Sequence, residues 1–418
     1  MLFTPYSDEL KVINRIHKVR NEDYALLRLT KTMIEKNNPD ANSIFRDLLL
    51  KSNLVDYDKL DFGRSNGITK DALFIQSDKA ETFKLKFYKV LNKRGDCRFS
   101  IRYLKKKIKQ NIINEGDLLY ISVIKDNPTT PKLFIINLTS NPPTEEYLVD
   151  ILGRDKINSK LQEILPSIEH ILNGGFFDNS KGIGEISPKD IGDTFESLLN
   201  IKTNNFSGAD IDGLIEIKTK GQGKTLDTLF TLRPNFEGTA IETIEPNDRN
   251  RVSAFTRLYG YDSDKHPGYN SLYITIGSKS RQLNNHNFFL DVDSENSRVN
   301  LKYINSTFKK NTGEIVAFWK FSELKERLLK KHPATLWINA ISRKENDIYQ
   351  FNYTDVEFSR SPQFTTFLSL IEEGYITYDW RGYTTKSGKY SGKNHGNAWR
   401  INPKYKQNLF GSIEKIEF

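Results

Sequence analysis

Residues 210–220 contain an acidic turn that runs into a short strand carrying a carboxylate and an amine. Side chains two residues apart on a strand share one face. Glu216 and Lys218 therefore point the same way, while Ile215 and Ile217 point into a core. Asp210 lies in the turn before the strand, where its side chain can fold back beside Glu216.

Two carboxylates beside a lysine suit metal-dependent hydrolysis of a phosphodiester. Carboxylate oxygens are hard ligands that hold Mg²⁺. A lysine can orient or polarise the attacking water and offset the charge that develops on the phosphate. The arrangement of Asp210, Glu216 and Lys218 resembles the PD-(D/E)xK nuclease pattern, and it predicts Mg²⁺ as the cofactor.

The segments on either side of this motif predict a helix and a second strand. Residues 191–200 have an apolar stripe at helical spacing, and Glu196 lies at its edge. Asp193 or Thr194 is expected to cap this helix. Residues 224–231 alternate as a strand, which the turn at 221–223 would pair with the first strand as a hairpin.

With these flanks, the chain resembles the MvaI/BcnI restriction endonucleases, which are relatives of the mismatch-repair nickase MutH. The likeness covers roughly residues 160–418. The segments that carry it are 194–199, 209–210, 215–219, 228–231, 318–324, 349–353 and 392–402.

The resemblance implies a role for each motif residue. Glu196 would be the helical active-site carboxylate, and Lys218 the catalytic lysine. Asp210 and Glu216 would be the metal ligands, with the carbonyl of Ile217 a possible further ligand. The spacing from Asp to Glu is one residue longer than in MvaI and one shorter than in MutH, so Asp212 competes with Asp210.

A strand at 377–383 and a glycine- and lysine-rich loop after it match the DNA-recognition region of the family. Arginine reads guanine, asparagine reads adenine, and histidine can donate to a base acceptor. The candidate base-reading or DNA-contacting residues are Arg381, Tyr383, His395, Asn397, Arg400 and Lys224. The alternative is that Arg400 is a strand residue paired to an acid and that His395 is a capped loop histidine.

Composition agrees with a polyanionic partner. The net charge is +9 and the pI is about 9.1. The aromatic content of 12% and mean hydropathy of −0.57 are typical of a folded chain. Cys97 is the one cysteine, so neither an intramolecular disulfide nor a cysteine-based zinc site is expected. With no membrane-length apolar run and no secretory signal, we expect a bacterial cytoplasmic protein that does not bind membranes.

The pattern of helices and strands predicts two domains. We expect a DNA-binding domain at 1–150 and an MvaI-like catalytic domain at 160–418. The catalytic domain should have an α/β fold with a mixed-sheet PD-(D/E)xK core. After Pro142 and Pro143, residues 145–152 and 160–172 have helical spacing.

The first domain is expected to be a β-rich α+β pseudobarrel. Alternating segments cover 72–76, 83–90, 97–103, 118–124 and 133–137. The unit of strand, helix, Glu115-Gly-Asp117 and strand resembles DNA-binding pseudobarrels such as the effector domain of EcoRII. The candidate phosphate-contacting residues, from the hairpin turn, the next strand and the helix, are Lys93, Arg94, Arg98 and Lys105. A lysine-rich helix is otherwise an ordinary solvated face.

The sequence thus predicts a type II restriction endonuclease, of type IIE if the first domain binds a second target copy. The family resemblance implies a monomer that acts on double-stranded DNA at a short near-palindrome, with CC(A/T)GG preferred. A cognate DNA methyltransferase is expected in the same system, without direct contact. The alternatives are a MutH-like nickase, or a sequence-specific DNA-binding protein in which the acidic pair is structural.

Overall fold

The computed structural model describes residues 5–91, 95–126, 131–201, 208–221, 223, 225–281, 284–304 and 313–418. The chain divides into two compact units, residues 1–159 and 160–418. Both units combine helices with sheets, and each has a mixed sheet. The predicted α/β fold with mixed sheets is therefore confirmed. In the described part of the chain, no helix is both long and apolar enough to cross a membrane.

The first unit contains five helices and six strands among its described residues. The helices are Ser7–Val19 (α1), Lys31–Lys36 (α2), Ser43–Lys51 (α3), Leu104–Lys109 (α4) and Glu145–Leu152 (α5). The strands are Tyr24–Arg28 (β1), Ile68–Ile75 (β2), Ala80–Lys89 (β3), Cys97–Ile101 (β4), Leu118–Ile124 (β5) and Lys132–Asn137 (β6).

These strands form one sheet in the order β1-β5-β6-β2-β3-β4, in which the pair β2 and β6 is parallel. One face buries aromatic side chains of β3 and β4, including Phe87 and Phe99, against Phe45 of α3. Residues of the opposite face, including Tyr120 and Phe134, pack in the same core as residues of α1 and α5. The adjacent interior strands β5 and β6 are therefore buried on both faces and are mostly apolar.

The second unit begins within a long helix and alternates helices with strands. Its helices are Lys156–Asn173 (α6), Asp190–Leu198 (α7), Ala240–Ile244 (α8), Arg251–Tyr259 (α9), Phe321–Lys331 (α10), Phe364–Glu372 (α11) and Lys406–Phe410 (α12). Its strands begin with Phe176–Asp178 (β7), Glu216–Lys220 (β8), Asp227–Thr231 (β9), Tyr261–Asp262 (β10), Tyr269–Ile276 (β11), Phe288–Asp293 (β12) and Arg298–Tyr303 (β13). They continue with Glu314–Lys320 (β14), Ala334–Glu345 (β15), Ile348–Arg360 (β16), Ile376–Thr385 (β17), Gly392–Asn394 (β18), Ala398–Ile401 (β19) and Ile413–Ile416 (β20).

The described strands of the second unit form three sheets. The first has the order β20-β16-β15-β8, with β7 also on β16, and its β8–β15 pair is parallel. The second has the order β10-β11-β17-β19-β9, with β18 on β17. The third is the meander β12-β13-β14. A core of aromatic residues, including Trp319, Tyr378 and Trp399, joins the second and third sheets.

The predicted hairpin between residues 216–220 and 224–231 is wrong. β8 pairs in parallel with β15, whereas β9 pairs antiparallel with β19 in another sheet. Lys220 instead holds the start of β9, because its Nζ donates to the carbonyl of Thr225 and to Asp227 Oδ1, each at 2.7 Å. The cap prediction is also wrong, since α7 begins at Asp190 and so contains both Asp193 and Thr194.

Candidate active site

The central carboxylate and lysine lie on β8, an edge strand of its sheet. Glu216 is opposite Thr335 of β15 and Lys218 is opposite Trp337. Glu216 is fully buried, whereas the Lys218 side chain is 25% exposed. The ammonium of Lys218 contacts Oε1 of Glu216 directly. The alternation of a strand therefore brings these two groups together, as their spacing predicts.

Asp210 reaches the same site because the chain before β8 folds back on itself. The backbone N–H of Ile211 bonds to the carbonyl of Ile215 at 2.9 Å, and Gly213 has a φ of 71° in the left-handed region. Oδ2 of Asp210 accepts a 2.9 Å hydrogen bond from the backbone N–H of Ile217. The outer edge of β8 therefore fixes the orientation of the Asp210 carboxylate.

Asp212 lies elsewhere. Its side chain is 64% exposed, and Oδ2 forms a 2.8 Å ion pair with Lys160. Of the two aspartates between which the sequence left a choice, Asp210 is the one that the structure places beside Glu216.

The site contains a second lysine, which the sequence did not predict. Lys331 is the last residue of α10, and its Nζ lies 3.0 Å from Oδ1 of Asp210 and 2.7 Å from Oε2 of Glu216. It also donates to the carbonyl of Gly208 at 3.0 Å. In the sequence, Lys331 looks like an ordinary basic residue at a helix C-terminus, so no local signal identifies it.

Burial and charge together set the protonation of the carboxylates. Burial raises the pKa of Glu216 to about 7, although Lys218 opposes the shift. Burial also acts to raise the pKa of Asp210, but the hydrogen bond from Ile217 and the charge of Lys331 outweigh it, so that pKa is lowered. Burial acts to lower the pKa of Lys331, but the charges and hydrogen bonds of Glu216 and Asp210 together outweigh it, so that pKa is raised and the ammonium form is favoured.

Glu196 belongs to the same charge cluster. It lies on α7, which packs against β8, and its side chain is partly buried. Burial, and then the charge of Asp210, raise the pKa of its carboxyl group. The helix and the strand thus bring together all four residues of the predicted catalytic set.

The donor set at β8 fits a small divalent cation. Asp210 and Glu216 turn one oxygen each toward a single position, at present taken by the Lys331 ammonium. The N–H and C=O of one strand residue point to the same edge, so the Ile217 carbonyl faces the side on which Asp210 lies. Mg²⁺ typically takes one or two carboxylates and keeps several waters. No group of three or more acidic, histidine or cysteine side chains suited to a metal occurs among the described residues.

The predicted base readers lie on the sheet that contains β17 and β19, around an aspartate that the sequence reasoning missed. Asp379 is 3% exposed, and its Oδ2 is 3.0 Å from Nη2 of Arg381 and 2.8 Å from Nε of Arg400. Its Oδ1 accepts a 2.7 Å hydrogen bond from Thr275. Both arginine side chains remain about a third exposed. One buried carboxylate thus orients two guanidinium groups on the same face of a sheet.

The other candidates of this region differ in exposure. Tyr383 stacks on His266, with ring centroids 3.9 Å apart. His395 is exposed, and burial of part of its ring lowers its pKa. Asn397 is 4% exposed, and its Oδ1 accepts a 2.9 Å hydrogen bond from the backbone N–H of Arg381. Asn397 therefore supports β17 and is not brought to the surface.

Five predicted DNA-contacting residues remain: Lys224, Lys93, Arg94, Arg98 and Lys105. The first three lie outside the described residues. In the first unit, Arg98 is held by ion pairs to Asp40 and Asp96, whereas Lys105 is exposed on α4.

Comparison with known proteins bears on the second unit. A model of the MvaI/BcnI restriction endonuclease family matches residues 165–410. A solved complex of the restriction endonuclease MvaI with its cognate DNA substrate is 26% identical, with a TM-score of 0.51, and the match covers 62% of this chain and 98% of that one. MvaI in the absence of DNA is also 26% identical, with a TM-score of 0.38, over 63% of this chain and 98% of that one. No curated protein matches the chain. Since the family model spans more than half of its residues, the chain belongs to the MvaI/BcnI restriction endonuclease family.

Proposed function

We propose that this restriction endonuclease is a Mg²⁺-dependent type II enzyme that hydrolyses double-stranded DNA at a short near-palindrome. The observation that carries the proposal is the convergence of Asp210, Glu216 and Lys218 at one edge of β8, with Glu196 in the same charge cluster. The likeness to MvaI makes CC(A/T)GG our preferred target sequence.

Each side chain has a chemical task in this proposal. Asp210 and Glu216, with the Ile217 carbonyl, would hold Mg²⁺, which polarises the scissile phosphate and lowers the pKa of water. Lys218 orients the attacking water and offsets the negative charge that develops on the phosphate. The water oxygen forms a bond to phosphorus while the bond to O3′ breaks in line. The water gives up a proton to solvent and O3′ takes one up, leaving 5′-phosphate and 3′-hydroxyl ends.

Arg381 and Arg400 are the proposed guanine readers. Each side chain is about a third exposed and its guanidinium is paired with Asp379, and arginine reads the O6 and N7 atoms of guanine in the major groove. His395, exposed next to this face, would contribute a further contact, and Asn397 would act through the strand that it supports.

The first unit is the basis for the type IIE part of the proposal. The match to MvaI covers 98% of that chain but 62% of this one, so this chain carries residues that MvaI does not need. We propose that residues 1–150 bind a second copy of the target and stimulate cleavage. In this reading, Lys105 contacts a phosphate. We further propose that the protein is a cytoplasmic monomer and that its restriction-modification system includes a DNA methyltransferase.

Digestion of a supercoiled plasmid of known sequence tests the proposal. With Mg²⁺, we expect discrete fragments that end at CC(A/T)GG, and with EDTA we expect none. Lys218→Met should lower the rate by roughly a thousandfold. Lys220→Met is the matched control, because Lys220 is two residues further along β8 and pairs with Asp227. Nicked circles as the end product would indicate a strand-specific nickase. Sequence-specific binding without cleavage in any metal would indicate a non-catalytic DNA-binding protein.

A further inference from the structure

The oxygens of the two proposed metal ligands are unequally available. Oδ2 of Asp210 is taken by the backbone N–H of Ile217, and Oε1 of Glu216 is taken by Lys218. The remaining oxygens are Oδ1 of Asp210 and Oε2 of Glu216. These are the two atoms that the ammonium of Lys331 contacts, at 3.0 Å and 2.7 Å.

We propose that Lys331 is a stand-in cation, which neutralises the carboxylate pair of the metal-free enzyme and must withdraw before a divalent ion can bind. Ligand oxygens lie about 2.0–2.1 Å from Mg²⁺. An ion bridging Oδ1 and Oε2 would therefore occupy nearly the same position as the Lys331 Nζ. Repulsion between the two cations in a buried site excludes joint occupancy. The proposal rests on the proposed function, since it assumes that Asp210 and Glu216 bind the ion.

The surroundings of Lys331 support this role. Without its ammonium, the fully buried Glu216 and the largely buried Asp210 would share, among the described residues, one nearby positive charge, that of Lys218. An unpaired carboxylate in such a site is costly. The side chain of Lys331 is itself 17% exposed and ends a helix, so its flexible four-carbon stem can turn outward. The lysine thus keeps the site folded without metal and competes with the metal for it.

Mn²⁺ binding to the DNA-free protein tests the proposal without relying on cleavage. Binding is followed by the electron paramagnetic resonance signal of free Mn²⁺ for wild type, Lys331→Met and Lys331→Arg. We expect Lys331→Met to bind Mn²⁺ about tenfold more tightly or better, and Lys331→Arg to stay close to wild type. Lys330→Met is the matched control, because Lys330 is the exposed neighbour of Lys331 on α10. The Mn²⁺ affinity of this variant should equal that of wild type.

A second measurement, thermal melting, shows whether a change in Mn²⁺ binding arises from misfolding of the variant. The melting temperature of metal-free Lys331→Met should fall below that of wild type, and added Mn²⁺ should raise it by more than it raises the wild type. Equal or weaker Mn²⁺ binding by Lys331→Met, in a variant whose melting remains cooperative, overturns the stand-in role. Glu216→Gln locates the ion, since it should abolish binding. If Glu216→Gln binds Mn²⁺ as wild type does, or if no variant binds it, the metal site itself is refuted, and the stand-in role with it.

Discussion

Nε2 of His332 donates a 2.8 Å hydrogen bond to the backbone carbonyl of Leu229, and its Nδ1 accepts from the Thr335 hydroxyl at 2.8 Å. Leu229 is on β9 and Thr335 is on β15, so one buried imidazole joins the sheet of the candidate recognition face to that of the active site. The Leu229 carbonyl can only accept, so Nε2 carries a proton, and in the neutral ring Nδ1 is then the acceptor. Complete burial lowers the pKa of His332 to about 3.

This histidine should make the second unit sensitive to acid. Its folded pKa is below the unfolded value of about 6.5, so the unfolded state takes up the proton first. The resulting stability is complete above pH 6.5 and is lost toward pH 3, at about 1.4 kcal/mol per pH unit. The raised pKa of Glu216 acts in the opposite direction. We therefore predict that the difference in free energy of unfolding between wild type and His332→Gln narrows by roughly 1 kcal/mol from pH 6.5 to 5.5, because the unfolded histidine is only half protonated at pH 6.5.

Tryptophan fluorescence during urea unfolding measures this difference. The four tryptophans, Trp319, Trp337, Trp380 and Trp399, all lie in the second unit and report on it alone. His170→Gln is the control, since His170 is exposed on α6 and its removal should leave the pH dependence intact. A difference between wild type and His332→Gln that stays constant with pH would show that His332 is not buried neutral.

The two aspartates before β8 should differ sharply in activity. Asp210→Asn removes a charge beside Glu216 and is expected to lower plasmid linearisation by more than about a hundredfold. Asp212→Asn removes an exposed ion pair with Lys160, which solvent screens, and should leave the rate nearly unchanged. Rates are compared at saturating Mg²⁺. The reverse order of effects would transfer the ligand role to Asp212.

Asp379 should control specificity by holding both arginines. Asp379→Asn is expected to weaken binding of a CC(A/T)GG duplex in Ca²⁺ by about 10- to 100-fold. Binding of an unrelated duplex should change much less, because that binding depends on phosphate charges. Arg400→Ala gives an independent test that leaves Asp379 in place. Asp291→Asn, which alters the surface pair with Lys302, is the control. An equal loss on both duplexes would mean that Asp379 stabilises the fold without directing base readout.

A type IIE enzyme should respond to a second target copy. We predict that an added short duplex carrying CC(A/T)GG speeds cleavage of a one-site plasmid by several-fold or more, about the range expected for coupling between two sites. A duplex without the site is the control. Lys105→Glu should reduce this stimulation while leaving the slower, unstimulated cleavage of the one-site plasmid intact. Failure of any site-bearing duplex to stimulate would remove the effector role of residues 1–150.

The contact between Lys218 and Glu216 could be predicted from the sequence because their relation is local. The period of a strand puts residues two apart on one face whatever the surrounding fold, and the contact between them is present in the structure. The same reasoning identified five of the six strands of the first unit, such as β5 at Leu118–Ile124, and in the second unit β8, β9 and β17, because alternation and turn residues are local signals too. Family resemblance added Glu196 and placed the nuclease unit near residue 160.

The tertiary structure decided everything that depends on distant partners. Lys331 meets Asp210 across 121 positions in the chain, and no spacing rule connects them. The hairpin prediction failed for the same reason, since β8 pairs with the distant strand β15 and not with β9. Local propensity determines which face a side chain occupies, but burial and pairing between remote strands determine what that face meets.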